Sequence, residues 1–75
     1  MAKPGDMIEF SGEYFLSDSE FEIRTEPAVG LVVEVMKDYQ NAWHTSGTVA
    51  AVLCSNRLLY VPIGWPSTHV EVKDQ

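Results

Sequence analysis

The stretch AVGLVVEVMK, from Ala28 to Lys37, sets the terms for the whole chain, because its apolar residues recur at every second position. In an extended backbone this places Val29, Leu31, Val33 and Val35 on one side and Val32, Glu34 and Met36 on the other. Branching at Cβ fits a pleated surface and loses rotamer freedom in a helix, so the valine density also selects a strand. The same period of two returns elsewhere. DMIEF puts Ile8 and Phe10 opposite Met7 and Glu9, TVAAVLCS and RLLYVPI follow, and HVEVK closes the chain with Val70 and Val72 inward. An all-β fold of five strands is expected, with a core of Ile8, Phe10, Leu31, Val33, Val35, Val49, Ala51, Leu53, Leu59, Val61, Val70 and Val72.

The breaks between these strands differ in kind. Ser55-Asn56 is expected to be a tight hairpin turn, since Asn tolerates positive φ. GWPST interrupts the chain before the last strand, and DYQNAWHTSG is a loop rich in turn formers. Residues 11–27, SGEYFLSDSEFEIRTEP, make a first connection long enough to be either functional or folded back as an irregular hairpin. Tyr14, Phe15, Leu16, Phe21 and Ile23 favour folding back, because they need a surface to pack on.

A chain of 75 residues has room for one core, so residues 1–75 are expected to form a single domain. A domain of this size buries only about 60% of the surface its unfolded chain exposes, which makes assembly a natural way to add stability. The alternation supports that idea. Val32, Met36, Val52, Cys54, Leu58 and Tyr60 place apolar groups opposite the expected core set, where a solitary sheet would be polar. Val32, Met36, Val52, Leu58 and Tyr60 are therefore the candidate interface, with the partner a second copy of the chain (a homo-oligomer) or another protein.

The order of a long first loop, a medium loop, a tight hairpin and a single-turn connection resembles the small barrels of the Src-homology-3-like and Sm-like families. The resemblance covers nearly the whole chain at the level of architecture. Src-homology-3 domains have a Gly-x-x-Pro-Ser-x-x-Val segment in which one turn of 3₁₀ helix leads into the final strand. GWPSTHVEV is similar to it, one residue shorter between Gly64 and Pro66. What the resemblance implies is a five-stranded barrel and, by the Sm-like route, assembly through the edges RLLYVPI and HVEVK. By the Src-homology-3-like route it implies a groove for basic or proline-containing peptides, lined by Tyr14, Trp43 and Trp65 with Glu20 and Glu22 facing the basic residue. The tyrosine-rich stretch and paired tryptophans of true peptide-binding members have no match here. PGDMIEF, GLVVEVMK, AVLCS and HVEVK also resemble segments of short uncharacterised proteins from tailed phages and marine viral genomes, which implies an origin more than a mechanism.

Charge narrows the function classes. The net charge is −6, and Asp6, Glu9, Glu13, Asp18, Glu20, Glu22 and Glu26 are offset in that region only by Lys3 and Arg24. Nucleic-acid binding draws most of its affinity from Lys and Arg on phosphates, so no nucleic-acid partner is expected. No apolar run is long enough to span a bilayer as a helix, so no membrane partner is expected and the expected location is the cytoplasm, of a host cell or within a virion if phage-encoded. The single Cys54 lies within an apolar strand, where an inert thiol is the usual outcome. His44 falls in a turn-rich loop and His69 just before the last strand. Asp18, Glu20 and Glu22 alternate on one side but lack the turn glycine and terminal glutamate of a calcium loop. Phosphate loops and nucleophile elbows are absent. No catalytic, metal or cofactor site is expected, and the chain reads as a non-enzymatic structural or interaction module.

Overall fold

The computed structural model describes residues 2–17, 19–40 and 46–73. Five strands form one antiparallel sheet: β1 (Met7–Ser17), β2 (Glu20–Gln40), β3 (Ser46–Cys54), β4 (Arg57–Ile63) and β5 (Thr68–Lys73). Their order is β2-β3-β4-β1-β5, and β1 also pairs with β2. The pairings therefore run from β1 through β2, β3 and β4 and return to β1, where Phe15 stands opposite Tyr60. β5 lies along the earlier part of β1, from Met7↔Lys73 to Gly12↔Thr68.

Each expected strand is present, and residues 11–27 take the folded-back form that their apolar residues favour, as paired strand and not as an open loop. β1 and β2 continue through this stretch as a hairpin arm, from Gly12↔Arg24 to Ser17↔Glu20. The apolar residues of that stretch are the reason, since alternation carries Tyr14 and Leu16 to one face and Phe15 to the other. The arm joins the rest of the ladder at a bulge: Phe10 faces Ala28, yet Gly12 faces Arg24, so Thr25, Glu26 and Pro27 stand against Ser11 alone. Proline suits that place, because an unpaired stretch of strand has no ladder bond for the missing N–H to break.

Ser55 and Asn56 both have positive φ, 51° and 64°, with Cys54 paired to Arg57 across them. This is the tight two-residue hairpin expected from the asparagine. GWPST makes a single turn closed by Thr68 N–H donating to Trp65 O at 3.2 Å, with Pro66 at its second position. The turn is tied to the bulge in β1: Glu13 N–H donates to Ser67 O at 3.0 Å and the Thr68 hydroxyl donates to Glu13 O at 2.7 Å. Ser67 Oγ adds a bond to the Glu13 carboxylate at 2.9 Å. Thr68 is buried, and its hydroxyl is satisfied by this contact.

The core is formed by Ile8, Phe10 and Tyr14 of β1, Val32 of β2, Ala50 and Val52 of β3, and Leu59 and Val61 of β4, with Ala2 from the N-terminal segment. That segment is held by Gly5 N–H donating to Val32 O and Val32 N–H donating to Asp6 O, both at 2.9 Å. Four expected core residues are exposed instead: Leu31, Val33, Leu53 and Val72 are 37%, 45%, 43% and 42% exposed. The cause in β2 is a register shift at Val33. Val32 faces Val52 and Glu34 faces Ala51, so Val33 has no partner of its own and Val35 turns to the same side as Val32. One extra residue thus exchanges the faces before it and leaves Val35 partly buried against the core.

Candidate functional site

With the faces so assigned, the outer surface of the sheet carries a line of apolar residues. Met7 faces Leu31, Leu31 faces Leu53, and Leu53 faces Leu58, so the line crosses β1, β2, β3 and β4 without a break. Leu58 is 44% exposed, close to Leu31 and Leu53, and Val29 and Val33 widen the line along β2. At its β1 end it meets charge. Met7 faces Lys73 on β5, whose ammonium lies 3.5 Å from Glu9 and 3.8 Å from Glu71.

Of the five residues expected at an interface, the structure leaves Leu58, Tyr60 and Met36 at least partly exposed, with Tyr60 and Met36 half-buried. Val32 and Val52 are corrected: they are 1% and 0% exposed and belong to the core. Leu31, Leu53, Val29 and Val33 take their place. For Leu31 and Val33 the sequence signal was the unbroken run LVV in β2, which is too apolar for a strand with one wet face whichever way its alternation is set.

Beyond Leu53 and Leu58 the outer face becomes aromatic. Phe15 meets Trp65 edge-on at 5.7 Å and Phe21 at 6.3 Å, and the Tyr39 and Tyr60 rings stack at 6.3 Å with planes 10° apart. Val49, Ala51, Phe15 and Pro62 are buried although they lie outside the core cluster, so this part of β3 is covered on both faces. Leu16, Ser17, Met36, Tyr39 and Tyr60 line an open groove of about 390 Å³. The residues expected to form a peptide groove are not gathered here. Tyr14 is buried in the core and Trp65 sits against Phe15, on the other face of β1, because consecutive strand residues point opposite ways. Glu20 is exposed on the arm, and Glu22 accepts the Tyr14 hydroxyl at 2.9 Å. Trp43, with His44 and Asp18, lies outside the described residues.

Arg24 occupies the inner side of the arm. Its guanidinium carbon lies 5.5 Å from the Tyr14 ring and 5.9 Å from the Phe10 ring, and Nε is buried without an acceptor. The contact depends on the bulge, which brings Arg24 opposite Gly12, where no side chain intervenes. Burial, and then the hydrogen bond to Glu22, raise the Tyr14 pKa above 10.0, against a smaller lowering by Arg24. The folded state thus prefers the neutral phenol. Its contribution to stability is complete below pH about 10 and is lost as pH rises through the raised value. We expect the Tyr14 ring signals in an NMR titration to move above pH 10, with global stability falling over the same range, and Tyr14→Phe to remove that dependence. A Tyr14 midpoint at or below 10 would contradict the burial and the bond to Glu22.

Among the described residues, no group of three or more His, Cys, Asp or Glu side chains is placed to hold a metal ion, and no helix is long and apolar enough to cross a membrane. Cys54 is a free thiol, half-buried at the edge of the core. Comparison of the chain with protein-family models, with curated proteins and with solved structures finds no match in any of the three. The functional reading therefore comes from the surface itself.

Proposed function

We propose that the chain is a non-enzymatic interaction module, a small barrel of the Src-homology-3-like or Sm-like kind that acts by contact with other protein chains, copies of itself included. The observation that carries this reading is the exposed line Leu31–Leu53–Leu58 with Val29 and Val33 beside it. Single exposed leucines are ordinary on a protein surface, but a contiguous apolar patch crossing several strands marks a contact site. The acidic balance argues against a nucleic-acid partner. A phage or marine-viral origin is added on the short patterns PGDMIEF, GLVVEVMK, AVLCS and HVEVK alone.

A second reading is favoured by the groove between the stacked Tyr39 and Tyr60, Met36 and Leu16: a monomeric adaptor that takes basic or proline-containing peptides beside the acidic arm. One NMR experiment separates the two. Methyl signals of Val29, Leu31, Leu53 and Leu58 that shift with protein concentration, or on adding a partner, are expected from the first. Shifts confined to Tyr39 and Tyr60 on adding lysine- and proline-rich peptides would favour the second. Spectra indifferent to both concentration and peptide would overturn the interaction reading.

A further inference from the structure

We infer that the outer apolar line is covered in solution by a second copy of this chain, in a two-fold, face-to-face pair centred on Leu53. The inference rests on the interaction reading above and adds the partner, the surface and the number of subunits. Its starting point is the order along the line, Met7, Leu31, Leu53, Leu58, given by direct cross-strand pairing. A two-fold interface must be self-complementary, so that whatever residue i touches touches it in return. With the axis at Leu53, two such lines laid antiparallel bring Leu53 onto Leu53 and Leu31 onto Leu58. Leucines of similar exposure then meet leucines, and no charged group falls between them.

Area and charge point the same way. A standard interface takes about 800 Å² from each partner, about a sixth of the 4648 Å² surface of this chain. The exposed parts of Val29, Leu31, Val33, Leu53 and Leu58 supply on the order of 300 Å² of that as an apolar centre. The polar remainder comes from the strand positions around them. Leu31, Leu53 and Leu58 themselves have only apolar cross-strand partners; the carboxylates beside them on the outer face are Glu9, opposite Val29, and Glu34, opposite Ala51, and Glu9 is already engaged with Glu71 by the ammonium of Lys73. A second apolar face is what such a surface fits. For a domain of 75 residues with one small core, the pair also supplies a second buried layer.

The edges fit a ring of subunits less well. Beyond its pairing with β1, the edge strand β5 presents His69, Glu71 and Lys73 on the outer face, with Lys73 bridging two carboxylates, and edge lysines and ion pairs of this kind blunt strand-to-strand addition. Electrostatics then makes an unusual forecast. Each copy carries −6, so the pair forms against mutual repulsion and should tighten as salt screens it, whereas an interface held by ion pairs would loosen.

The test is absolute mass by light scattering after size exclusion, across a range of protein concentrations, at about 0.05 M and about 0.5 M sodium chloride. Expected is a mass moving from 8.4 kDa toward twice that value, further at high salt. Leu53→Asp should weaken the pair by about 100-fold or more while leaving the far-ultraviolet circular dichroism unchanged, as befits a central interface residue. Should Leu53→Asp fail to fold, Leu58→Asp reads the same surface from a different strand. A larger multiple that survives both variants would overturn the face-to-face pair and leave the interaction reading standing. A monomer at every concentration would overturn the pair, and the methyl experiment above then decides the interaction reading independently.

Discussion

Gly12→Ala is expected to cost about 2–4 kcal/mol, a large share of the roughly 4–11 kcal/mol available to a chain of this size. Gly12 has φ of 95°, a region that residues with a Cβ rarely adopt. A Cβ there would also run into the backbone carbonyl of Ser67 and lie 3.0 Å from Thr68 Cα. That carbonyl cannot withdraw without cost, since it accepts the Glu13 N–H and belongs to the turn that starts β5. Gly5→Ala is the matched control. Gly5 has the same φ of 95°, yet nothing lies within 4 Å of the position its Cβ would take. It should lose only the conformational part, about 1 kcal/mol. At roughly 4–8 °C per kcal/mol the two melting temperatures are easily told apart. Equal losses at the two glycines would mean that the bulge and the Trp65–Thr68 turn are not in contact.

The same contact shows what in this chain is local and what is not. The five strands and the turn at Ser55-Asn56 follow from period-two alternation and turn chemistry, which are properties of neighbouring residues. The faces do not. Whether Leu31 or Val32 points inward depends on Val33 standing unpaired between Val32↔Val52 and Glu34↔Ala51, a feature of pairing with β3 that alternation within β2 cannot reveal. In RLLYVPI, where the ladder with β3 is regular, Leu59 and Val61 are buried as the alternation indicates. In residues 11–27 the apolar residues signal folding back, but the bulge that seats Arg24 over Tyr14 and Phe10 is set by Gly12 meeting Ser67, 55 residues away. The candidate site inherits this limit. Leu58, Tyr60 and Met36 were legible because their strands carry apolar residues on both faces. Leu31 and Leu53 were hidden because a reading that places one face of β2 and β3 inward assigns them to the core.

Neighbouring aspartates decide the assignment directly. Val52→Asp is expected to abolish folding and Leu53→Asp to leave it intact, although the two residues are adjacent in the same strand. Val52 is fully buried against a cluster that contains Val32, Leu59 and Val61, and no cation is among its members. A carboxylate there must either remain charged in an apolar site or take up a proton, and either route costs more than about 4 kcal/mol, comparable with the whole stability of a small domain. Leu53 is 43% exposed, so its replacement keeps the carboxylate in water and should change monomer stability by about 1 kcal/mol or less. Amide spectra separate the outcomes: dispersed signals for Leu53→Asp, collapsed ones for Val52→Asp. The reverse pattern would put Leu31, Val33 and Leu53 inside and Val32 and Val52 outside. The outer leucine line would then not exist, and with it would go the surface on which the interaction reading stands.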